Sequence, residues 1–249
     1  MTEIQFNEIK ERLSKWRNDR HLTYRKQRNG FLGNVYEEVS EYYRSMNEYE
    51  QIDALMDIIV FTVNSFDFDY KLNEYEVIST TYFTSVLNTL TNIARTLRDY
   101  YKEIYKIENS DLDDKEKELE LEKIEKEFRP TFQQHAWSII YEVKDLTEDL
   151  GFDFYKCMIE TIKEIESRTG HYDEGLKKFV KDTGAYTEKE AYEIAKREKV
   201  FFNFVSFKLY QDRRTMEYYW VDDANDSANC ERIKIKKWYK ADYESCRIK

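Results

Sequence analysis

The chain of 249 residues carries 40 Lys and Arg against 50 Asp and Glu, a formal net charge of −10. Only six glycines and one proline occur, and because these residues mark the turns of β-rich proteins, sandwiches, propellers and glycine-looped Rossmann folds are disfavoured. Aromatic residues make up 16% of the chain, too many for a disordered acidic protein. We therefore expect a folded, mainly helical protein.

Membrane and nucleic-acid functions are also disfavoured. No apolar run approaches the roughly 20 residues that span a bilayer, and the start, MTEIQFNEIKERL, lacks the apolar core of a signal peptide. We expect a cytoplasmic protein, or one of the host cytoplasm if its source is a virus. The acidic balance argues against a nucleic-acid polymer as partner, because binding phosphates requires a clustered basic surface. Three widely spaced cysteines are expected to be buried or free thiols: Cys157, Cys230 and Cys246.

The first predicted element is an amphipathic helix in a locally basic stretch, with eight Lys and Arg against four acids in the first 29 residues. Its apolar residues recur near helical spacing: Ile4, Ile9, Leu13 and Trp16. The dipeptides Asn29-Gly30 and Gly33-Asn34 then predict a turn. Two helices follow, over about 35–44 and 49–64, and the short link Ser45-Met46-Asn47 makes them an antiparallel helical hairpin.

Helical patterns continue to about residue 167. Periodicity predicts helices over 75–107 and 153–167, and the charged run 111–127 predicts a solvated helix. Pro130 should end that helix near the start of the next one, 131–149.

A small β region follows the helices. The aromatic, β-branched runs VFFNFVSFKLY and TMEYYWV flank QDRR and predict a β-hairpin, to which RIKIKKWY could add a third strand. The predicted fold is all-α: a helical bundle over 1–198, with a helical insertion at about 67–150, and a β-rich appendage over 199–249.

Four carboxylates of the helical hairpin stand out. Glu38 and Glu41 are three residues apart and Asp53 and Asp57 four apart, so each pair shares one helix face. In the hairpin the two pairs can converge, although Glu38 and Glu41 alone would also suit a solvated face. The segment IDALMDIIVFTV is otherwise apolar all round, and residues 45–70 contain no Lys or Arg.

Carboxylates in an apolar helix without local cations must find distant partners, shift their pKa or bind a metal ion. A hard divalent cation such as Mg²⁺ suits an all-oxygen set and can receive a triphosphate. A di-iron site is the rival, but it requires Glu-x-x-His pairs, and none of the three histidines lies in such a motif.

These residues resemble the all-α NTP pyrophosphohydrolases, the superfamily of MazG-like proteins, phosphoribosyl-ATP pyrophosphohydrolase and the dimeric dUTPases. Its pattern is ExxE, a spacer, then ExxD. The first half matches Glu38 and Glu41. The second half has two registers: Glu50 with Asp53 gives a literal ExxD, whereas alignment on the following apolar run selects Asp57 and lets Asp53 replace a missing Glu.

A second segment, SRTGHYDEG followed by KFVK, resembles the dimeric dUTPase stretch in which an Arg and a Lys meet the nucleotide phosphates. Arg168 and Lys181 occupy those positions. Gly170 and Gly175 would bend a loop towards the ligand. Ordinary surface charge is the alternative for both cations.

The resemblance implies a homodimeric enzyme that uses one or two Mg²⁺ ions, or Mn²⁺ in their place, to cleave a nucleoside triphosphate into monophosphate and pyrophosphate. The substrate could be dUTP or another pyrimidine nucleotide. Glu38, Glu41 and Glu37 are the predicted catalytic residues. The predicted metal ligands are Glu38, Glu41, Glu50, Asp53 and Asp57. The predicted substrate-binding residues are Arg168, Lys181, Lys163 and Asn34. A non-catalytic helical dimer and a phosphoribosyl-ATP pyrophosphohydrolase-like enzyme remain the alternatives.

Overall fold

The computed structural model describes residues 1–71, 83–176, 178–197, 207–222 and 234–249. Contacts between Cα atoms divide the chain into two compact units. The first unit comprises Met1–Ile162 together with the C-terminal tail, Asp242–Lys249. The second comprises Lys163–Ala241. The predicted domain boundary at 198/199 lies outside the described residues, as do Cys230 and the first residues of the helix predicted over 75–107.

The first unit is helical, as predicted. Its helices are α1 (Glu3–Asn18), α2 (Tyr24–Arg44), α3 (Glu48–Ser65), α4 (Phe83–Glu108), α5 (Asp114–Asp149) and the first turns of α6 (Phe154–Ser167), and the tail adds a 3₁₀ helix (Tyr243–Cys246). The predicted first helix, third helix and 153–167 helix are confirmed. In the described part of the chain, no helix combines the length and apolarity that crossing a membrane requires.

The predicted turn at Asn29-Gly30 and Gly33-Asn34 is wrong, because α2 runs through both dipeptides without a break. A helical glycine costs about 1 kcal/mol relative to alanine. Burial offsets this cost: Phe31 and Val35, on the same face of α2, are both fully buried. Thr23 caps the helix by accepting from the backbone N–H of Lys26.

The predicted helix break at Pro130 is also wrong, since Pro130 lies inside the 36-residue helix α5. Proline removes one backbone hydrogen bond, but Pro130 is exposed, so water can solvate the released carbonyl. The neighbouring turns are held by aromatic packing: Phe128 and Phe132 have ring centroids 5.5 and 5.6 Å from that of Tyr100 of α4.

Helices α2 and α3 form the predicted antiparallel hairpin around the link 45–47. At the end opposite the link, the ring of Phe31 lies 5.0 Å from that of Phe66, and Arg28 Nε donates to the carbonyl of Ser65. Helix α3 is buried around most of its circumference, as its apolar sequence predicts. This hairpin fixes where the predicted carboxylates lie.

The second unit contains two small sheets and a helix. Its elements are β1 (Gly170–Asp173), β2 (Lys178–Lys181), β3 (Gly184–Ala185), α7 (Glu188–Arg197), β4 (Phe207–Gln211), β5 (Tyr218–Asp222) and β6 (Lys234–Lys237). The predicted hairpin is confirmed by the β4–β5 pairing, and β6 adds the predicted third strand. Strands β1, β2 and β3 occur within 1–198, so that region is not purely helical.

Candidate carboxylate site

Glu38 of α2 is the most unusual carboxylate of the first unit. Only 9% of its surface is exposed, and no hydrogen bond or ion pair joins it to another residue that the structure describes. Burial, and then the negative charges of Asp57, Glu41, Asp53 and Glu37, raise the pKa of Glu38 to about 8. Near neutral pH this carboxylate therefore holds a proton or needs a cation.

The charges that raise this pKa come from carboxylates of both α2 and α3. After burial, the charge of Asp57 raises the pKa of Glu38 most, followed by the charges of Glu41 and Asp53. Asp53 and Asp57 are partly buried, whereas Glu41 and Glu37 are exposed. Asn34 lies one turn before Glu38, so the two share a face of α2.

Glu50, another predicted ligand, lies at the first turn of α3. Its carboxylate accepts from the backbone N–H of Met46 at 2.7 Å and from Nδ2 of Asn47 at 2.9 Å. Asn47 in turn caps α3 by accepting from the backbone N–H of Glu50. These bonds close the tip of the hairpin. Glu50 thus takes part in capping the N-terminus of α3.

The C-terminal tail supplies a residue at this site that no sequence pattern indicated. Tyr243 is 5% exposed, and its hydroxyl donates to Oδ1 of Asp53 at 2.7 Å. Burial, followed by the charge of Asp53, raises its pKa well above the ordinary value, so the phenol stays protonated. The two residues are 190 positions apart, and only the fold shows their relation.

The donor chemistry of this cluster is all oxygen, which is the preference of Mg²⁺. Within the described ranges, no three His, Cys, Asp or Glu residues meet in the arrangement of a metal site. The orphaned, buried carboxylate of Glu38 is the observation that points to a cation.

Arg168, a predicted phosphate-binding residue, lies in an ion-pair network of the second unit. Its Nη2 lies 2.5 Å from Oε1 of Glu164, and its Nε donates to the hydroxyl of Tyr186 at 2.6 Å. Burial alone would raise the pKa of Glu164, but the backbone N–H of Ala241, Lys240, Tyr186 and Arg168 outweigh it and lower that pKa. The network joins α6 to two later segments of the unit.

Lys181 and Lys163 are both exposed, at the end of β2 and on α6. Where the resemblance implies a loop, β1 and β2 pair as antiparallel strands, with Gly170 opposite Lys181. A Cβ at Gly170 would lie 2.2 Å from the carbonyl oxygen of Val180. The paired backbone therefore requires this glycine, with or without a ligand.

Comparisons with known proteins leave the family open. No family model, no curated protein and no solved structure matches this chain. The assignment of function accordingly depends on the residues themselves.

Proposed function

We propose that this protein is a Mg²⁺-dependent hydrolase that cleaves a nucleoside triphosphate, dUTP or another pyrimidine nucleotide among them, into the monophosphate and pyrophosphate. The observation that carries the proposal is Glu38, a buried carboxylate that has no hydrogen-bond donor or cation among the described residues and whose pKa is raised by further carboxylates of α2 and α3. An isolated buried charge costs several kcal/mol. A bound divalent cation would remove that cost, and proteins tolerate such sites where they serve function.

In this proposal Glu38, Glu41, Asp53 and Asp57 hold one or two Mg²⁺ ions. The ion would neutralise the triphosphate and lower the pKa of a bound water. Glu37, exposed at the rim, would accept a proton from the attacking water. Asn34, on the face of Glu38, offers an amide donor and acceptor to the edge of a pyrimidine base.

The resemblance in the sequence also implies basic residues that bind the phosphates. Lys181 and Lys163 are exposed and carry their charge on long side chains. Arg168 already pairs with Glu164, so its contribution would be to hold the segment in place. The resemblance in the sequence also implies a homodimer, which sedimentation equilibrium would test.

The first experiment is a pyrophosphate-release assay across ribo- and deoxyribonucleoside triphosphates, with Mg²⁺ and with Mn²⁺. We expect metal-dependent turnover that is greatest for one base. Phosphoribosyl-ATP belongs in the panel, because turnover of that substrate alone would select the other enzyme of the class. Absence of turnover on every substrate, together with absence of Mg²⁺ binding by calorimetry, would refute the proposal and favour a helical interaction scaffold.

A matched pair of variants tests the site. Glu38→Gln and Glu41→Gln keep side-chain size but remove a ligand charge, so each should lower kcat by at least about 100-fold. Glu103→Gln, at an exposed carboxylate paired with Lys106 of α4, is the control and should retain activity. Without metal, Glu38→Gln should melt at a higher temperature than the wild type, because it removes a buried, unpaired acid.

A further inference from the structure

The tail residue Tyr243 lies between two helices that carry polar side chains of the first unit. Its hydroxyl oxygen is 2.7 Å from Oδ1 of Asp53 on α3 and 2.9 Å from Oγ1 of Thr161 on α6. An aromatic ring with one hydroxyl therefore fills the gap between α3 and α6. Its small exposed fraction, 5%, means that water does not compete for these bonds.

The number of protons on each group determines which one donates in these hydrogen bonds. A phenol carries one proton, and an ionised carboxylate can only accept. The proton of Tyr243 therefore goes to Asp53, and Thr161 can donate only to the Tyr243 oxygen or to the carbonyl of Cys157, which lies 3.0 Å away. A hydrogen bond to a charged acceptor is the stronger kind, and this one constrains Oδ1 of Asp53.

The rest of the tail is fixed to the same unit at several points. Arg247 forms ion pairs with Glu48 in the first turn of α3 and with Glu244. The backbone N–H of Ile248 donates to the carbonyl of Gly151, and the carbonyl of Cys246 accepts from Asp153. These contacts hold the 3₁₀ helix in place, so Tyr243 meets Asp53 in one defined orientation.

We propose that Tyr243 is a positioning residue of the carboxylate site, and that residues 242–249 are part of the functional unit. This inference rests on the proposed function. Outer-shell hydrogen bonds to ligating carboxylates orient them, and losing one such partner costs about 10- to 100-fold in metal affinity. Tyr243 would act through Asp53 and would touch neither metal nor nucleotide.

The test uses the full chain and measures Mn²⁺ binding by the loss of the free-ion electron paramagnetic resonance signal. We expect Tyr243→Phe, which removes only the hydroxyl, to weaken Mn²⁺ binding about 10- to 100-fold. Tyr49→Phe is the matched control, because the Tyr49 hydroxyl contacts Glu244 and Arg247 of the same tail. That variant should stay within twofold of the wild type. In an Asp53→Asn background, Tyr243→Phe should have little further effect.

The outcomes separate this inference from the proposed function. Wild-type protein that binds no Mn²⁺ would refute both. Wild-type binding with equal affinity in Tyr243→Phe would refute the positioning role and leave the function standing. Equal weakening in Tyr243→Phe and Tyr49→Phe would show that the tail acts only as an anchor, against the inference. If Tyr243→Phe fails to fold, Thr161→Val replaces it and should weaken binding threefold or more; unchanged affinity would refute the inference.

Discussion

The guanidinium of Arg28 on α2 forms an ion pair with Glu125 on α5, with Nη1 2.9 Å from Oε2. Arg28 is 4% exposed and lies 4.9 Å from the ring centroid of Tyr100 and 4.8 Å from that of Phe132. At least one cation of the basic N-terminal stretch, Arg28, therefore lies in the protein core, where its charge stabilises the fold by pairing with Glu125. At the C-terminal end of α3, this buried cation donates to the carbonyl of Ser65, the last residue of the helix.

Replacing Arg28 with Met should lower the free energy of unfolding by about 2 to 3 kcal/mol, because Glu125 and the Ser65 carbonyl lose a buried partner. Urea unfolding followed by circular dichroism measures this. Arg25→Met is the control, since Arg25 pairs with Glu108 at an exposed site, and it should cost at most about 1 kcal/mol. Equal costs for the two variants would contradict a structural role for the buried pair.

Alanine substitution should have opposite effects on stability at Gly33 of α2 and at Gly184 of the second unit. Gly33 lies in a helix interior, and a Cβ there would meet nothing within 4 Å. Gly33→Ala should therefore stabilise the protein by about 0.5 to 1 kcal/mol. A Cβ at Gly184 would lie 2.1 Å from the indole of Trp238, so Gly184→Ala should destabilise. Thermal melts of both variants check the pair; a loss of stability in Gly33→Ala would contradict a helical conformation at Gly33.

Sequence patterns predicted the helical hairpin because it depends on local spacing. The link 45–47 is too short for any arrangement except antiparallel helices, and the interval from Glu38 to Glu41 places both on one face. The glycines of α2 were misread because local propensity is weak against the burial of Phe31. Pro130 was misread because a helix tolerates proline where the freed carbonyl meets water.

Long-range partners could not be predicted from the sequence. Tyr243 and Asp53 are 190 positions apart, and Arg28 and Glu125 are 97 apart. No spacing rule relates such residues, because their meeting depends on the path of the whole chain. The same holds for the hydrogen bond from Arg168 to Tyr186. The local sequence around Arg168 is that of an ordinary basic residue in a loop.

Glu142 of α5 should make stability depend on pH. Its Oε1 accepts from Thr89 at 2.9 Å, and its Oε2 is buried with no hydrogen-bond partner in the described part of the chain. Burial raises the pKa of Glu142 from its ordinary 4.5 to about 7. Neutral Glu142 therefore makes its full contribution to the free energy of unfolding below pH 4.5. This contribution is lost as the pH rises through 7.

Glu142→Gln stays neutral and keeps the acceptor for Thr89, so it should match the wild type at pH 4 and exceed it by about 2 kcal/mol at pH 8. Urea unfolding at both pH values measures the difference. Glu148→Gln, at an exposed carboxylate paired with Lys144, is the control and should show no such gain at pH 8. A gain for Glu142→Gln of equal size at both pH values would contradict the assignment.

Substitution of Arg168 and of Lys181 should have different effects, because we expect Arg168 to stabilise the fold and Lys181 to bind the ligand. Arg168→Ala leaves Glu164, whose side chain is 6% exposed, without its nearest cation, and should lower the melting temperature. Lys181 is exposed at the end of β2, so Lys181→Ala should leave the melting temperature unchanged and raise KM for the triphosphate several-fold through lost phosphate attraction. Melting curves and steady-state kinetics on the same preparations test both. An unchanged KM in Lys181→Ala would remove this residue from the nucleotide site, and an unchanged melting temperature in Arg168→Ala would deny the network its structural role.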